Sequence, residues 1–585
     1  MAPRAGPSNF RPMTLSAWPT PRDFAQATWA DILPHYQALA ERPLDAATVE
    51  SWLADWSALD SALTEAASLA MIAYTCDTTD PAKEAANLRF SSEILPRLDE
   101  QGVRLAARLL DLGYTRPDLE QVLARFRTQR EIFREANIPL FSEIEELGSA
   151  YQKITGSLTV MWDGEEKTIP QLQPYQQSPD RVVRERAFRL TAGAYDAKRD
   201  ELATLFDEMY DLRSRVAANA GFADFQAYTF KAKCRFDYTP DDCARFHEAV
   251  ESVVSPAVER LMARRRARLG VPALRPWDTT VDPDGREALK PFREVDELVS
   301  KCDRIFDAVS PVLGREFHTM IDEGLLDLGT RKGKAPGGYC ETLNFRGRPF
   351  IFMNAVGLAD DVSTLLHEAG HAFHAFAAHR QPYIWQRQPG LEVCELASMS
   401  MELLASPYLG AEQGGFFGPL DLARARVEHL EDILITLAHI ASVDAFQSWL
   451  YTTGEGGDRE ARDRAWLRIR SRFERGVDWT GLERERATRW HRQLHIFLYP
   501  FYYIEYGIAQ LGALQVWRNS LRDQAEAVAH YRGALAQGAT RSLPDLFAAA
   551  GARFTFDPRL IGELVGRVEE HIEAWQARVD ARSAA

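Results

Sequence analysis

The sequence predicts a mainly α-helical protein. Runs whose apolar residues recur at helical spacing fill most of the chain, and strand-like stretches are short and few. A composition of 46% hydrophobic and 26% charged residues supplies a globular core. Near the N-terminus the helical runs are 46–73, 82–110 and 116–136, each an apolar stripe on a polar helix. Residues 158–162 and 167–169, joined through Asp163-Gly164, are expected to form a small hairpin, because Asp-Gly supplies the positive φ of a tight turn. Helical runs resume at 180–220 and 241–269. Residues 270–292 are expected to be a loop, since Pro272, Pro276, Pro283 and Pro291 each remove a backbone donor. Further helices are expected at 295–325, 420–451 and 509–535, and no repeat of fixed period is present.

Several functional classes are disfavoured by composition. A net charge of −15 lacks the positive footprint that a nucleic-acid backbone requires. No run of about 18 apolar residues suggests a membrane span. Residues 1–22 contain five Pro and no apolar stretch of signal-peptide length, so a flexible tail is expected there. Cysteines at 76, 234, 243, 302, 340 and 394 show no paired spacing, which makes a reducing, cytoplasmic compartment the simplest reading.

Chemistry concentrates at His367-Glu368-Ala369-Gly370-His371. Residues i and i+4 of a helix lie one above the other, so His367 and His371 can grip one ion, and zinc favours neutral imidazoles in a tetrahedral set. Glu368 points to a neighbouring face, from which it reaches a water and not the metal, as a general base must. With 13 His in 585 residues, chance yields this pattern roughly 0.02 times in such a chain. Asp360, Asp361 and Ser363 offer N-caps, and Leu365, Leu366, Ala369, Ala372, Phe373 and Phe376 give the helix its apolar side.

A catalytic zinc needs a third protein ligand and an open position. His374 is one turn beyond His371, which would stretch a shared site, so it is read as facing substrate or buttressing the ligands. The metzincin pattern HExxHxxGxxH fails, because position 374 is His and position 377 is Ala. A helix expected after the loop 381–390 carries Glu392, Glu395 and Glu402, and spacing alone leaves all three open as ligands. Cys394 points to a different helical face from Glu395 and is read as packing.

A second cluster, His495 to Gly507, places a His before four Tyr: Tyr499, Tyr502, Tyr503 and Tyr506. Phenols suit a site where negative charge develops, each such donor contributing roughly 2.7–4 kcal/mol to a tetrahedral oxyanion. Upstream, the Gly-rich loop 334–340 precedes a hairpin expected from 341–345 and 349–354 around Arg346-Gly347-Arg348. No helix follows the loop directly, so a phosphate site is rejected. A strand there can offer its edge to an extended peptide.

The motif HEAGHAFH, followed by VCELASMSMELL, resembles the zinc-binding helices of the thimet oligopeptidase and oligoendopeptidase F family of zinc peptidases. The resemblance is strongest from about residue 334 to 507. It implies one Zn²⁺ per chain held by His367, His371 and Glu395, with Glu402 as a hydrogen-bonding partner for a ligand histidine. It also implies that Glu368 acts as general base and that His495, Tyr503 and Tyr506 serve the oxyanion; Tyr499 and Tyr502 could substitute for either tyrosine and are otherwise candidate substrate contacts. Gly337, Gly338, Tyr339 and His374 become candidate substrate contacts. The implied architecture is two helical lobes enclosing a deep substrate channel, with a small β-sheet near the zinc site. An N-terminal lobe is expected over 23–195 and a catalytic lobe over 196–585. The implied activity is cleavage of internal bonds in short unstructured oligopeptides. A dipeptidyl carboxypeptidase on the same scaffold is the nearer alternative, and a non-catalytic peptide-binding metalloprotein the more distant one.

Overall fold

The computed structural model describes residues 19–583, and most of the tail expected over 1–22 lies outside them. The fold is mainly helical, as the periodicity predicts. Val49–Cys76, Glu120–Ile132 and Pro419–Thr452 follow the expected runs closely. Other runs are interrupted where local chemistry favours a cap. The expected 180–220 helix is two, Arg181–Asp196 and Arg199–Asn219, and Asp180 caps the first by accepting from Val182 N at 2.9 Å. Ser310 and Pro311 likewise divide 295–325 into Val295–Val309 and Pro311–Asp322. Helices at Trp29–Glu41, Ile138–Gly156, Arg459–Phe473 and Pro558–Ser583 were not anticipated. The helix expected to begin at 509 starts at Tyr503, which puts Tyr503 and Tyr506 in its first turn.

The strands are β1 (Thr159–Trp162), β2 (Glu165–Thr168), β3 (Leu326–Gly329), β4 (Tyr339–Leu343) and β5 (Arg348–Ala355). β1 and β2 form the expected hairpin. β4 and β5 form the second, and β3 joins β5 in parallel, giving the order β3-β5-β4. β4 is therefore an edge strand. It lies beside the Val49–Cys76 helix, where Thr75 Oγ1 is 2.6 Å from the Tyr339 hydroxyl and Ser68 donates to Glu341 at 2.5 Å.

One apolar core joins the first helices through Trp52, Trp56 and Phe126 and takes in Tyr383 from the distant part of the chain. A larger one takes in most of the remaining helices, while Ala187 of Arg181–Asp196 packs with Val160 and Trp162 in a small separate cluster. The Pro419–Thr452 helix crosses the larger core. It is long and apolar enough to span a membrane by composition, yet 72% of its most apolar window is buried inside the protein. It is thus accounted for as a core helix.

Candidate metal centre

Two helices meet backbone to backbone to build the centre. The histidine helix, Ala359–Ala378, is started by Asp361, whose carboxylate accepts from the N–H groups of Val356, Gly357 and Leu358 at 2.9, 2.8 and 2.8 Å. Of the three expected cap residues, Asp361 does this from within the first turn. The glutamate helix, Leu391–Ala405, follows the intervening loop. At their crossing sits Gly370: a Cβ there would lie 2.5 Å from Ser398 Cα and 2.6 Å from the Ala397 carbonyl oxygen. Any side chain would force the helices apart.

That close approach brings Glu395 to the histidines. Glu395 Oε2 lies 3.4 Å from His367 Nε2 and 3.8 Å from His371 Nε2. Donor atoms of the three residues all fall within 4.8 Å of one another. Nitrogens and oxygens about 2.0–2.1 Å from a tetrahedral ion stand roughly 3.3 Å apart, so the set fits a zinc-sized cation with little adjustment. The other candidate carboxylates are engaged elsewhere. Glu392 accepts from the Tyr238 hydroxyl at 2.7 Å. Glu402 meets His367 Nδ1 at 2.7 Å and His429 Nε2 at 2.9 Å, so the Nε2 of His367 is the ring nitrogen that faces Glu395 and could take a metal ion.

Electrostatics match the donor types. Burial would raise the carboxyls of Glu395 and Glu402, but hydrogen bonds from His367 and the neighbouring imidazoles outweigh it and hold both at about 2. Burial pushes His371 down to about 4, which leaves a neutral imidazole of the kind a metal ion takes. His367 is raised well above its ordinary value: burial lowers it, but hydrogen bonds to Glu395 and Glu402 prevail, and ligation would release its proton. Burial also lifts Glu368 to about 7, against the charge of His367, which lowers it.

A cavity of about 1050 Å³ opens beside this centre, with His367, Glu368, Glu402, His429, His439 and Gln493 on its wall. Gly337, Gly338, Tyr339 and His374 lie off that wall, as do the clustered phenols. The Tyr339 phenol is turned toward Thr75 and stacks on Phe352, with ring centroids 4.8 Å apart. Gly337 adopts φ +98°, and a Cβ on Gly338 would stand 3.4 Å from the Phe352 carbonyl oxygen, so both glycines suit a loop pressed against β5. His374 is buried, held down at about 4 by that burial, and its Nε2 has no partner among the described residues.

His495 is the hub of the aromatic cluster. Its ring lies 5.9, 5.4, 4.9 and 5.9 Å from those of Tyr499, Tyr502, Tyr503 and Tyr506. The hydroxyls diverge in their partners. Tyr502 donates to Glu395 Oε1 at 2.8 Å and so braces the candidate ligand. Tyr503 donates to Gln493 Oε1 at 3.1 Å, and His439 Nε2 lies 3.2 Å from that same oxygen. Tyr506 packs on Tyr502 with centroids 4.9 Å apart, and Tyr499 is 52% exposed. Burial lowers His495 to about 4, leaving a neutral ring, and raises Tyr503 to about 12. The turn before Tyr502 places Phe501 at φ +61°, an uncommon region for a bulky residue. Arg235 secures it by donating to the Phe501 carbonyl and, at 2.8 Å, to Glu505.

Sequence reasoning missed His429, His439, Gln493 and Arg235. Each is a single polar residue without a neighbouring motif, and only the packing of distant helices reveals its partner.

Comparisons with known proteins agree with this architecture. Residues 174–564 match the family model described as Peptidase family M3, and residues 22–112 match the Peptidase M3 N-terminal domain. Oligopeptidase PepF from Bacillus subtilis strain 168 is 22% identical over 409 residues, 67% of this chain and 58% of the relative. The match thus spans less than two thirds of that protein's length. A solved structure described as an oligoendopeptidase F superposes with a TM-score of 0.86 at 30% identity, covering 94% of this chain and 97% of that one. Pz peptidase A with an inhibitor gives 0.85 at 28% identity, covering 93% and 96%.

Proposed function

The chain belongs to peptidase family M3, and from that premise we propose that it is a zinc oligoendopeptidase that cleaves internal bonds of short, unstructured peptides. The observation that carries this reading is the convergence of His367, His371 and Glu395, with His367 and the adjacent Glu368 on the cavity wall. Two imidazoles and a carboxylate are the ligand set of catalytic zinc, whereas structural zinc favours four ligands rich in Cys. All six cysteines are free, which suits the reducing, cytoplasmic location expected from their spacing.

A divalent ion held by these three residues would supply Lewis acidity, acidifying water and polarising a carbonyl. Glu368 takes the proton from the attacking water and returns it to the leaving amine. A carboxyl held near about 7 is suited to both transfers at neutral pH. His495, Tyr503 and Tyr506 present donors to the oxygen on which negative charge develops. Tyr502 keeps Glu395 in place, and Glu402 does the same for His367. Where the peptide runs beyond the wall of the cavity, the main chain of the edge strand β4 and of Gly337-Gly338-Tyr339 is available to hold it in extended form. A site bordered by a cavity of about 1050 Å³ admits an unfolded segment and excludes a folded domain.

The test is mass spectrometry of the products from unstructured peptides of roughly 4 to 25 residues, with and without chelator. Chelator-sensitive internal cuts confined to the shorter peptides are expected. Release of dipeptides from the C-terminus alone would replace this reading with the exopeptidase, and bound metal without cleavage would end the catalytic assignment.

A further inference from the structure

The cavity beside the centre has an unequal distribution of charge. Most arginines on its wall are neutralised within the fold: Arg265 by Glu431 at 3.0 Å, Arg424 by Asp282 at 2.9 Å, and Arg475 more loosely by Glu259 at 3.9 Å. Glu474 is shared by Arg470 at 2.6 Å, Arg489 at 3.0 Å and Arg486 at 3.3 Å. One carboxylate facing three guanidiniums leaves that region with excess positive charge.

Arg492 adds to that excess. It lies on the wall beside Gln493, half-buried, with its guanidinium 4.7 Å from the Tyr195 ring centre, and it has no carboxylate partner among the described residues. Burial and the nearby Arg489 push it down to about 10, as expected for a cation short of an anion. Arg426 also lacks a carboxylate, but it is only 5% exposed and packs over Trp575, so its guanidinium is covered. Stacking on an aromatic face holds a guanidinium in plane and leaves its edge free for the two parallel hydrogen bonds a carboxylate accepts. The segment carrying Arg492 also carries Gln493, which receives the Tyr503 hydroxyl, and His495. An anion at Arg492 would therefore sit in the same cavity that Glu368 borders.

We propose that Arg492 receives a carboxylate of the bound peptide, either the free C-terminus or an acidic side chain, and so helps to determine which peptides are accepted. This inference rests on the peptidase reading and extends it to substrate class. Arg492 is a specificity residue here and takes no part in the proton transfers. A peptide end is the simplest source of the anion, because every short peptide has one and a long chain threaded through the cavity does not present it there.

One unstructured peptide is prepared as the free acid, as the C-terminal amide, and as an amide with a Glu placed downstream of the cut. All three are assayed with the native metal-loaded protein, Arg492→Gln and Arg492→Lys. The native protein is expected to favour the acid over the amide by roughly tenfold in kcat/KM, chiefly through KM, as one charge-assisted hydrogen bond would give. Arg492→Gln brings that ratio close to one, and Arg492→Lys restores part of it. A preference that follows the Glu-bearing amide instead assigns the anion to a side chain. An acid-to-amide ratio and a Glu effect that are the same in native protein and Arg492→Gln overturn the proposal, and a purely structural defect would slow all three peptides alike without moving either. Direct binding of the same peptides separates the two readings. If nothing is cleaved, the peptidase assignment falls, while carboxylate-dependent affinity lost in Arg492→Gln still supports the site and its absence still overturns it.

Discussion

Glu402 and His429 are joined by a contact of 2.9 Å between Oε2 and Nε2, and the other oxygen of Glu402 meets His367 Nδ1 at 2.7 Å. One carboxylate thus links the glutamate helix to the histidine helix and to the long Pro419–Thr452 helix. It fixes the orientation of His367 and, in the zinc reading proposed above, would raise the basicity of the nitrogen offered to the ion. Glu402→Ala is expected to weaken zinc binding by about 10- to 100-fold, and His429→Ala by less, because His429 acts only through Glu402. Competition against a chromophoric chelator measures both. Unchanged affinity in Glu402→Ala would show that the contact has no part in holding the metal.

Gly370 sets the spacing of the histidine and glutamate helices. A methyl group there would approach the backbone of Ser398 and Ala397 within 2.5–2.6 Å, and backbone yields less readily than a side chain. Gly370→Ala should lower stability by roughly 1–3 kcal/mol, as overpacking does. Because the same displacement withdraws Glu395, metal affinity should fall in parallel. Thermal unfolding with and without zinc checks both effects, and a variant that melts and binds like the native protein would mean that the crossing relaxes freely.

How much of this was legible in the sequence depended on range. His367 and His371 are one helical turn apart, so their convergence is a local property, and Glu368 beside them follows from the same geometry. Glu395 was one of three acidic residues on a helix whose return path is tertiary, and only the family resemblance favoured it. Its brace, Tyr502, cannot be told in the sequence from Tyr499, Tyr503 and Tyr506, because the four phenols look alike until the Phe501 turn aims one of them. Gly370 occupies a variable position of the motif, and its importance appears only when Ser398 is brought against it. β3 was missed because four residues of a parallel partner carry little alternation. Helices such as Ile138–Gly156 escaped because their apolar faces serve several neighbours and the period blurs.

Glu368 is tested by the change that keeps its shape. Glu368→Gln retains volume and hydrogen-bonding capacity but cannot take a proton. Turnover should fall by at least about 10²–10⁴-fold, the usual contribution of a general base, with metal content unchanged. Elemental analysis alongside a peptide assay distinguishes this from loss of the ion. Near-native turnover in a metal-loaded Glu368→Gln protein would remove Glu368 from the chemistry.

Tyr502 and Tyr506 differ in what they touch, and phenylalanine substitutions should separate them. Tyr502 gives its hydroxyl to Glu395 at 2.8 Å, so Tyr502→Phe should weaken metal binding and lower activity in a way that excess zinc partly restores. Tyr506 has its ring against Tyr502 and His495 and, among the described residues, makes no hydrogen bond to His367, His371 or Glu395. Tyr506→Phe should therefore keep full metal affinity and lower kcat by about 10²–10³-fold with KM little altered, since a donor to the developing oxyanion acts only in the transition state. An effect of Tyr506→Phe confined to KM would make it a substrate contact. Rescue of Tyr506→Phe by zinc, with no rescue of Tyr502→Phe, would reverse the two roles.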